Sequence, residues 1–174
     1  MGITTAVRDL RTVRALLTGA EAEARRDGER TPGPEHLLLA ATALPDGTAA
    51  AALARVGVDA AALRTAVEAA HAAALASVGV GTDAGTDAGE PALRGPATGP
   101  MRSTPQAQQV FREAVAAAKA ARSPLRGAHV VAAVCDLEHG TATRALSALG
   151  VDRDRLRGAA GAAPSGGSPR ARER

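Results

Sequence analysis

Apolar residues recur at steps of three and four along most of the chain, which is the spacing that gives an amphipathic helix one apolar face. The first helix is predicted to place six residues on that face: Val7, Leu10, Val13, Leu17, Ala20 and Ala24. Gly28 can stop this helix, and Pro34 suits the first turn of the next one, where a backbone N–H is not needed. The pattern therefore predicts a long first helix and a second helix that begins near Pro34.

Two more helices are predicted to complete the first half of the chain. The apolar face of the second helix comprises Leu37, Leu38, Ala41 and Leu44. The turn signal Pro45–Gly47 precedes a short third helix that runs to Val56. Gly57 can end that helix in the left-handed conformation, and Asp59 can cap a fourth. The fourth helix places three large apolar residues on its face: Leu63, Val67 and Leu75.

The sequence repeats itself when it is shifted by 93 positions. Between His36 and Arg64, 13 of 29 positions are identical to their counterparts without a gap. Composition alone would give about 3 or 4 identities. The triplet Gly57–Asp59 recurs as Gly150–Asp152, which Ala-rich composition does not explain. The chain is therefore interpreted as an internal duplication.

The second half is predicted to follow the same four-helix plan. Thr104 caps the first helix of this half, and Pro124 interrupts the helical pattern after it. Gly150 ends the third helix, and Asp152 caps a short last helix through Leu156. The apolar faces comprise Ala107, Val110, Ala114 and Ala117 in the first of these helices, Val130, Val131, Val134 and Leu137 in the second, and Leu146 and Leu149 in the third.

The predicted fold class is all-α, with two tandem pseudo-symmetric four-helix repeats that form one domain. The first repeat is assigned to residues 1–78 and the second to residues 103–160. Residues 79–102 are rich in Gly, Thr, Asp, Ala and Pro, which predicts a flexible linker. Residues 161–174 are predicted to be a disordered Arg-rich tail, and the tail-like composition already begins at Gly158.

Composition supports helices and excludes several other classes. Hydrophobic residues make up 45% of the chain, much of it Ala, and the only aromatic residue is Phe111. Ala favours helices and is a poor strand residue, so an all-β fold is not expected. No run of about 18 apolar residues and no apolar leader segment is present, so a cytoplasmic protein without a membrane span is expected. The single Cys135 excludes an intramolecular disulfide and a multi-cysteine zinc site.

Several motifs together resemble the N-terminal domain of the Clp family of ATP-driven unfoldases, which is a duplicated four-helix repeat. The segments that carry the resemblance are Ala24–Gly28, Gly33–Ala40, Pro45–Gly47, Leu53–Asp59 and, opening the second repeat, Thr104–Ala107. The resemblance covers about residues 5–75 and 103–160, which is most of the chain.

The resemblance implies a recognition domain that receives adaptors, peptide segments and, in one branch, arginine-phosphorylated proteins. In that branch the Glu of each Thr-Glu-His motif helps to hold the modified guanidinium. Glu35 matches the first such position, with Pro34 in place of Thr, so both are candidate ligand-binding residues of a phosphoarginine-type site. Ala128 replaces the second Glu, which implies a degraded second site. Ser103 stands where antibiotic-binding members have an aromatic residue.

No catalytic chemistry is expected. The sequence has no Gly-x-x-x-x-Gly-Lys-Ser/Thr phosphate loop, and its only Lys is Lys119. The resemblance then implies a free-standing, non-enzymatic binding module without a cofactor, expected to be a monomer. Its implied partners are Clp ATPase or protease components, adaptors or client proteins, and it would act as an accessory or decoy in Clp-dependent proteolysis.

The histidines are interpreted as structural. His36 and His129 occupy equivalent positions inside apolar stretches, which favours burial and bonding to the backbone. His71 and His139 are expected to be exposed, and no Asp, Glu or Cys lies at ligand spacing from any His along the sequence, so no metal is expected. Glu35 has a second interpretation, because an acidic residue in the first turn of a helix is favoured by the helix dipole.

The basic residues leave one alternative function open. The chain has 21 Lys and Arg against 18 Asp and Glu, for a formal net charge of +3. Two Arg clusters stand out: Arg25, Arg26 and Arg30, and Arg170, Arg172 and Arg174. They could contact phosphates, so a regulatory nucleic-acid-associated protein is the alternative. The aromatic residues that usually stack on single strands are absent, which makes nucleic acid the less favoured partner.

Overall fold

The structure is a computed structural model that describes residues 3–77 and 103–162, with side chains from residue 9 onward in the first range. The helices of these residues are α1 (Ile3–Arg26), α2 (Pro34–Thr42), α3 (Thr48–Arg55), α4 (Ala60–Ser77), α5 (Pro105–Ala120), α6 (Gly127–Cys135), α7 (Thr141–Ala148) and α8 (Arg153–Gly161). The two described ranges contain no strand, so the all-α class is confirmed.

The helix boundaries recur at the offset of the sequence duplication. Helices α6, α7 and α8 each begin 93 positions after α2, α3 and α4. The starts of α2 and α6 also share one capping arrangement, in which a histidine ring accepts a backbone hydrogen bond. Gly33 N donates to His36 Nδ1 at 2.9 Å, and Arg126 N donates to His129 Nδ1 at 3.1 Å. These equivalences support the duplicated four-helix plan.

The two halves share one apolar core. Helix α2 packs against α6 near the middle of the fold, while α3 packs against α8 and α4 packs against α7. Small residues permit the close approach of the helices. A Cβ atom added to Gly19 of α1 would lie 3.0 Å from the Ala40 Cβ of α2. Ala, Leu and Val are the main core residues, and Phe111 packs against this core from its edge.

Hydrogen bonds join the halves where α6 begins. The Asp46 carboxylate accepts hydrogen bonds from Thr48 N at 2.9 Å and Gly127 N at 3.2 Å. The Thr48 hydroxyl oxygen accepts one from Ala128 N at 2.9 Å. The N–H groups of Gly127 and Ala128 have no partner within α6, because they lie in its first turn. Asp46, which precedes α3, and Thr48, which begins it, supply the acceptors.

Several predicted core positions differ in the structure. Leu16, which the pattern omitted, is fully buried, whereas Leu10 is 73% exposed and Leu75 is 47% exposed. Both exposed leucines lie on long helices, and α1 at 24 residues is about 36 Å long while α2 at 9 residues is about 14 Å. The short helices therefore cannot cover the whole of the long ones. In α5, Ala118 is buried in place of the predicted Ala117.

The last helix is longer than the sequence indicated. Helix α8 continues to Gly161, so residues 158–161 are helical although their composition resembles the tail. Residues 79–102, predicted as a linker, and residues 163–174 of the predicted tail lie outside the described residues. Within the described residues, no helix has the length and apolar character needed to cross a membrane.

Candidate functional site: a histidine–carboxylate cluster at the start of α2

Glu35, the first candidate residue, is held inside the protein in the first turn of α2. Pro34 occupies the first helical position and is also buried. Glu35 itself is only 5% exposed, and its Oε1 atom lies 3.3 Å from His36 Nδ1. The carboxylate folds back over Gly33, where an added Cβ would lie 2.0 Å from that oxygen. Position 33 must therefore be glycine for Glu35 to adopt this conformation.

His36 is fully buried, as predicted, and bonds to the backbone through one ring nitrogen. Because Nδ1 accepts the Gly33 N–H, the ring proton of the neutral form is on Nε2. That nitrogen lies 3.2 Å from Asp27 Oδ2, so His36 donates to the Asp27 carboxylate. His36 therefore connects the start of α2 to the segment that follows α1.

His71 of α4 completes the group, contrary to its prediction as an exposed residue. Its side chain is 19% exposed, and its ring stacks on that of His36 with centroids 5.7 Å apart. His71 Nδ1 lies 3.1 Å from Glu29 Oε1, and Nε2 lies 3.9 Å from Glu35 Oε1. The sequence contained a signal for this burial, because His71 lies four residues after the buried Val67 on the same face of α4.

A tight turn after α1 places the two remaining carboxylates. Gly28 has φ +78, and the hydrogen bonds Gly28 N to Arg25 O and Glu29 N to Ala24 O close the helix end as a Schellman motif. Asp27 and Glu29 flank this turn and reach His36 and His71 respectively. We call Asp27, Glu29, Glu35, His36 and His71 the histidine–carboxylate cluster.

An ion pair lies beside the cluster and links α1 to α4. The Arg64 guanidinium donates hydrogen bonds to both carboxylate oxygens of Glu23, one of them at 2.9 Å. This contact holds the pKa of the Glu23 carboxyl below its ordinary value of 4.5, although burial acts in the opposite direction. The pair helps to fix α4, the helix of His71, against α1.

The equivalent place in the second half has no such cluster. Ala128, predicted as the degraded position, is buried, and its N–H bonds to Thr48. His129 keeps the capping hydrogen bond, but its Nε2 lies 3.5 Å from Ser123 Oγ rather than next to a carboxylate. The pKa of His129 is lowered mainly by burial and to a smaller extent by the positive charge of the nearby Arg126. The second half thus retains the cap without a carboxylate bonded to the histidine ring.

The other candidate residues are separate from the cluster. Ser103 is 8% exposed and Cys135 is buried, and burial raises the pKa of the Cys135 thiol to about 11. His139 is exposed. Arg25 and Arg26 are exposed and lie 3.9 Å and 3.3 Å from glutamates of their own helix. These pairs leave less free positive charge for a phosphate partner than the sequence suggested.

Comparisons with known proteins agree with the resemblance seen in the sequence. Residues 11–92 match the family model described as the Clp repeat (R) N-terminal domain. The structure is similar to the crystal structure of the N-terminal domain of the caseinolytic protease-associated chaperone ClpD from Arabidopsis thaliana. The TM-score is 0.55 at 22% identity, over 86% of this chain and 89% of that chain. No match was found among curated proteins.

The structural similarity shows the fold, and the family match places the first half of the chain within a described family. Together they support a Clp-related protein-interaction module in general terms. Over residues 11–92 the chain is thus similar to the Clp repeat (R) N-terminal domain family, and its described residues share the fold of a Clp N-terminal domain.

Proposed function

We propose that the protein is a non-catalytic protein-binding module that acts as an accessory or decoy in Clp-dependent proteolysis. The observation that supports this proposal most directly is the match of residues 11–92 to the Clp repeat (R) N-terminal domain. The partners are Clp ATPase or protease components, adaptors or client proteins. Binding is reversible and has no covalent step, with apolar contacts supplying affinity and charged side chains supplying specificity.

The burial of Glu35 limits how a client could be recognised. Its carboxylate is 5% exposed and contacts His36, so an incoming guanidinium would have to displace existing neighbours. A phosphoarginine-type site at Glu35 and Pro34 therefore requires a local opening of the α2 start. Charge-assisted pairing between Glu35 and a guanidinium would have to offset the cost of that opening. Partners that do not use Glu35, such as Clp components or adaptors bound at the surface, are therefore favoured over a phosphoarginine-bearing client.

A reconstituted degradation assay tests the proposal. The protein is titrated into a purified Clp ATPase–protease with one substrate that needs an adaptor and one that does not. A decoy slows only the adaptor-dependent substrate, whereas an accessory that delivers clients accelerates degradation. Unchanged degradation of both substrates, together with no binding of the ATPase, protease or adaptor in a direct affinity measurement, would refute the proposed function.

Glu35→Gln, with Glu68→Gln as its matched control, tests the candidate site. Glu68 is an exposed carboxylate on α4, so the control removes the same charge from the surface. If Glu35 binds a guanidinium, only Glu35→Gln reduces capture of an arginine-phosphorylated protein. Equal capture by both variants would exclude Glu35 as that ligand. If the protein instead captures only nucleic acid, and salt removes it, the result would favour the alternative function of a regulatory nucleic-acid-associated protein.

A further inference from the structure

The duplication provides an internal control for what the histidine–carboxylate cluster does. Both halves use a histidine to cap the second helix of the repeat, with nearly the same geometry. In the second half, the Nε2 atom of the His129 ring faces the Ser123 hydroxyl instead of a carboxylate, and Ala128 stands in place of Glu35. The cap therefore needs only the imidazole. Three carboxylates and a second histidine in the first half exceed what the helix start requires.

We propose that Asp27, His36 and His71 bind a divalent transition-metal ion, and that Zn²⁺ is the ion that fits best. One ligand atom from each of the three residues lies within 4.8 Å of the others. The distance between His36 Nε2 and Asp27 Oδ2 is 3.2 Å. Two ligands at Zn–N and Zn–O distances of about 2.0–2.1 Å in a tetrahedral site are separated by about 3.3 Å. Those two atoms already have the required separation.

His71 has a nitrogen without a partner that suits a metal. Its Nδ1 lies 3.1 Å from Glu29, which favours the ring proton on that atom. Its Nε2 is buried and has no hydrogen-bond partner among the described residues. Metal-binding histidines are commonly oriented by a carboxylate that accepts a hydrogen bond from one ring nitrogen, which leaves the other nitrogen free to bind the metal. Glu29 is therefore assigned as the residue that positions His71.

The chemistry of the set selects the class of ion. Two imidazoles and one carboxylate suit Zn²⁺ better than Mg²⁺ or Ca²⁺, which prefer oxygen ligands. Binding would replace the proton on His36 Nε2, while Nδ1 keeps its hydrogen bond from Gly33. A dication would also offset the negative charge of Asp27, Glu29 and Glu35, which lie close together around two imidazoles. Three protein ligands leave a fourth position for water or for a partner's side chain.

Zn²⁺ titration of the full chain tests the site. The tag-free protein is treated with a chelator, dialysed and titrated calorimetrically, and Co²⁺ absorption serves as a second readout of coordination geometry. The wild type is expected to bind a single Zn²⁺. His71→Asn and Asp27→Asn are expected to raise the Kd by at least about tenfold, because loss of even an outer-sphere partner costs 10–100-fold. Lowering the pH should weaken binding, since protons compete for the ring nitrogens.

His139→Asn is the matched control, because His139 is an exposed histidine outside the cluster. Melting curves without metal identify a variant that has lost its fold, and either Asp27→Asn or His71→Asn alone suffices for the comparison. Absence of stoichiometric binding by the wild type would overturn the proposal. So would wild-type affinity in a folded His71→Asn or Asp27→Asn variant, or a tenfold loss in His139→Asn. These results do not depend on any Clp partner, so they are separate from the proposed function.

Discussion

The same substitution, glycine to alanine, is expected to have opposite effects at two helical positions. Gly127 is the first residue of α6, at the junction of the two halves. A Cβ there would lie 2.8 Å from the Ala49 Cβ and 2.9 Å from the Ala41 carbonyl oxygen. Gly158 lies within α8, and a Cβ there would meet no atom within 4 Å. Gly127→Ala should therefore destabilise the protein and Gly158→Ala should stabilise it.

The magnitudes follow from the neighbours. The two nearest atoms to a Cβ at position 127 are the Ala49 Cβ and the Ala41 carbonyl oxygen. Neither atom can rotate away, so α6 must move relative to α2 and α3. Overpacking of this kind costs about 1–3 kcal/mol. The better helix propensity of alanine returns up to about 1 kcal/mol in a helix interior and less at a first position. We expect a net loss of about 1–2 kcal/mol for Gly127→Ala and a gain of about 0.5–1 kcal/mol for Gly158→Ala.

Thermal and urea unfolding, followed by far-ultraviolet circular dichroism, measure both effects against the wild type. For a domain of this size, 1 kcal/mol corresponds to about 2–4 °C in Tm. The urea midpoint should change with little change in slope, since the surface exposed on unfolding stays the same. A Gly127→Ala variant as stable as the wild type would show that the close approach of α6 to Ala41 and Ala49 is not needed in the native fold.

Three further predictions concern single groups. Thr48→Val keeps the shape but leaves the buried Ala128 N–H without its acceptor, so it should cost about 1–3 kcal/mol in urea unfolding. Thr48→Ser keeps the acceptor and loses only a buried methyl group, so it should cost less than Thr48→Val, about 0.8 kcal/mol. Because Arg64 lowers the native pKa of Glu23, the contact stabilises the fold above the ordinary pKa range of a carboxyl group and is lost as the pH falls through the native pKa. Glu23→Gln should therefore reduce the loss of stability between neutral and acidic pH. An unchanged dependence of stability on pH would contradict this prediction. Burial raises the pKa of the Cys135 thiol to about 11, so its alkylation at pH 8 should be slow in the native protein and fast in denaturant. Equal alkylation rates in the two states would show that the thiol is accessible in the native protein.

The helices could be predicted because local signals agreed along the chain. Apolar spacing, the glycines after α1 and α3, and Asp59 and Asp152 before the last helix of each half all indicated the same boundaries. The positions of Leu10 and Leu75 could not be predicted in this way. Their exposure depends on the lengths of the neighbouring helices, and spacing within one helix does not contain that information.

The candidate site was predicted only in part. His36 was identified as a buried histidine bonded to the backbone, and the structure confirms it. Asp27, Glu29 and His71 were missed because 9, 7 and 35 positions separate them from His36, and their meeting depends on a turn and on a helix-to-helix contact. Of these, only His71 left a local signal, as a polar residue on the buried face of α4.

The interlocked halves explain how a cluster confined to the first repeat depends on the second. Asp27, Glu29 and His36 are held by the end of α1 and the start of α2, which pack on each other. His71 comes from α4, and α4 packs against α7 of the second half as well as against α2. The separation between the two imidazoles therefore depends on the contact between α4 and α7 as well as on contacts within the first repeat. The second repeat has no carboxylate at the positions equivalent to Asp27, Glu29 and Glu35, yet it helps to fix the geometry on which any ligand of the first repeat must rely.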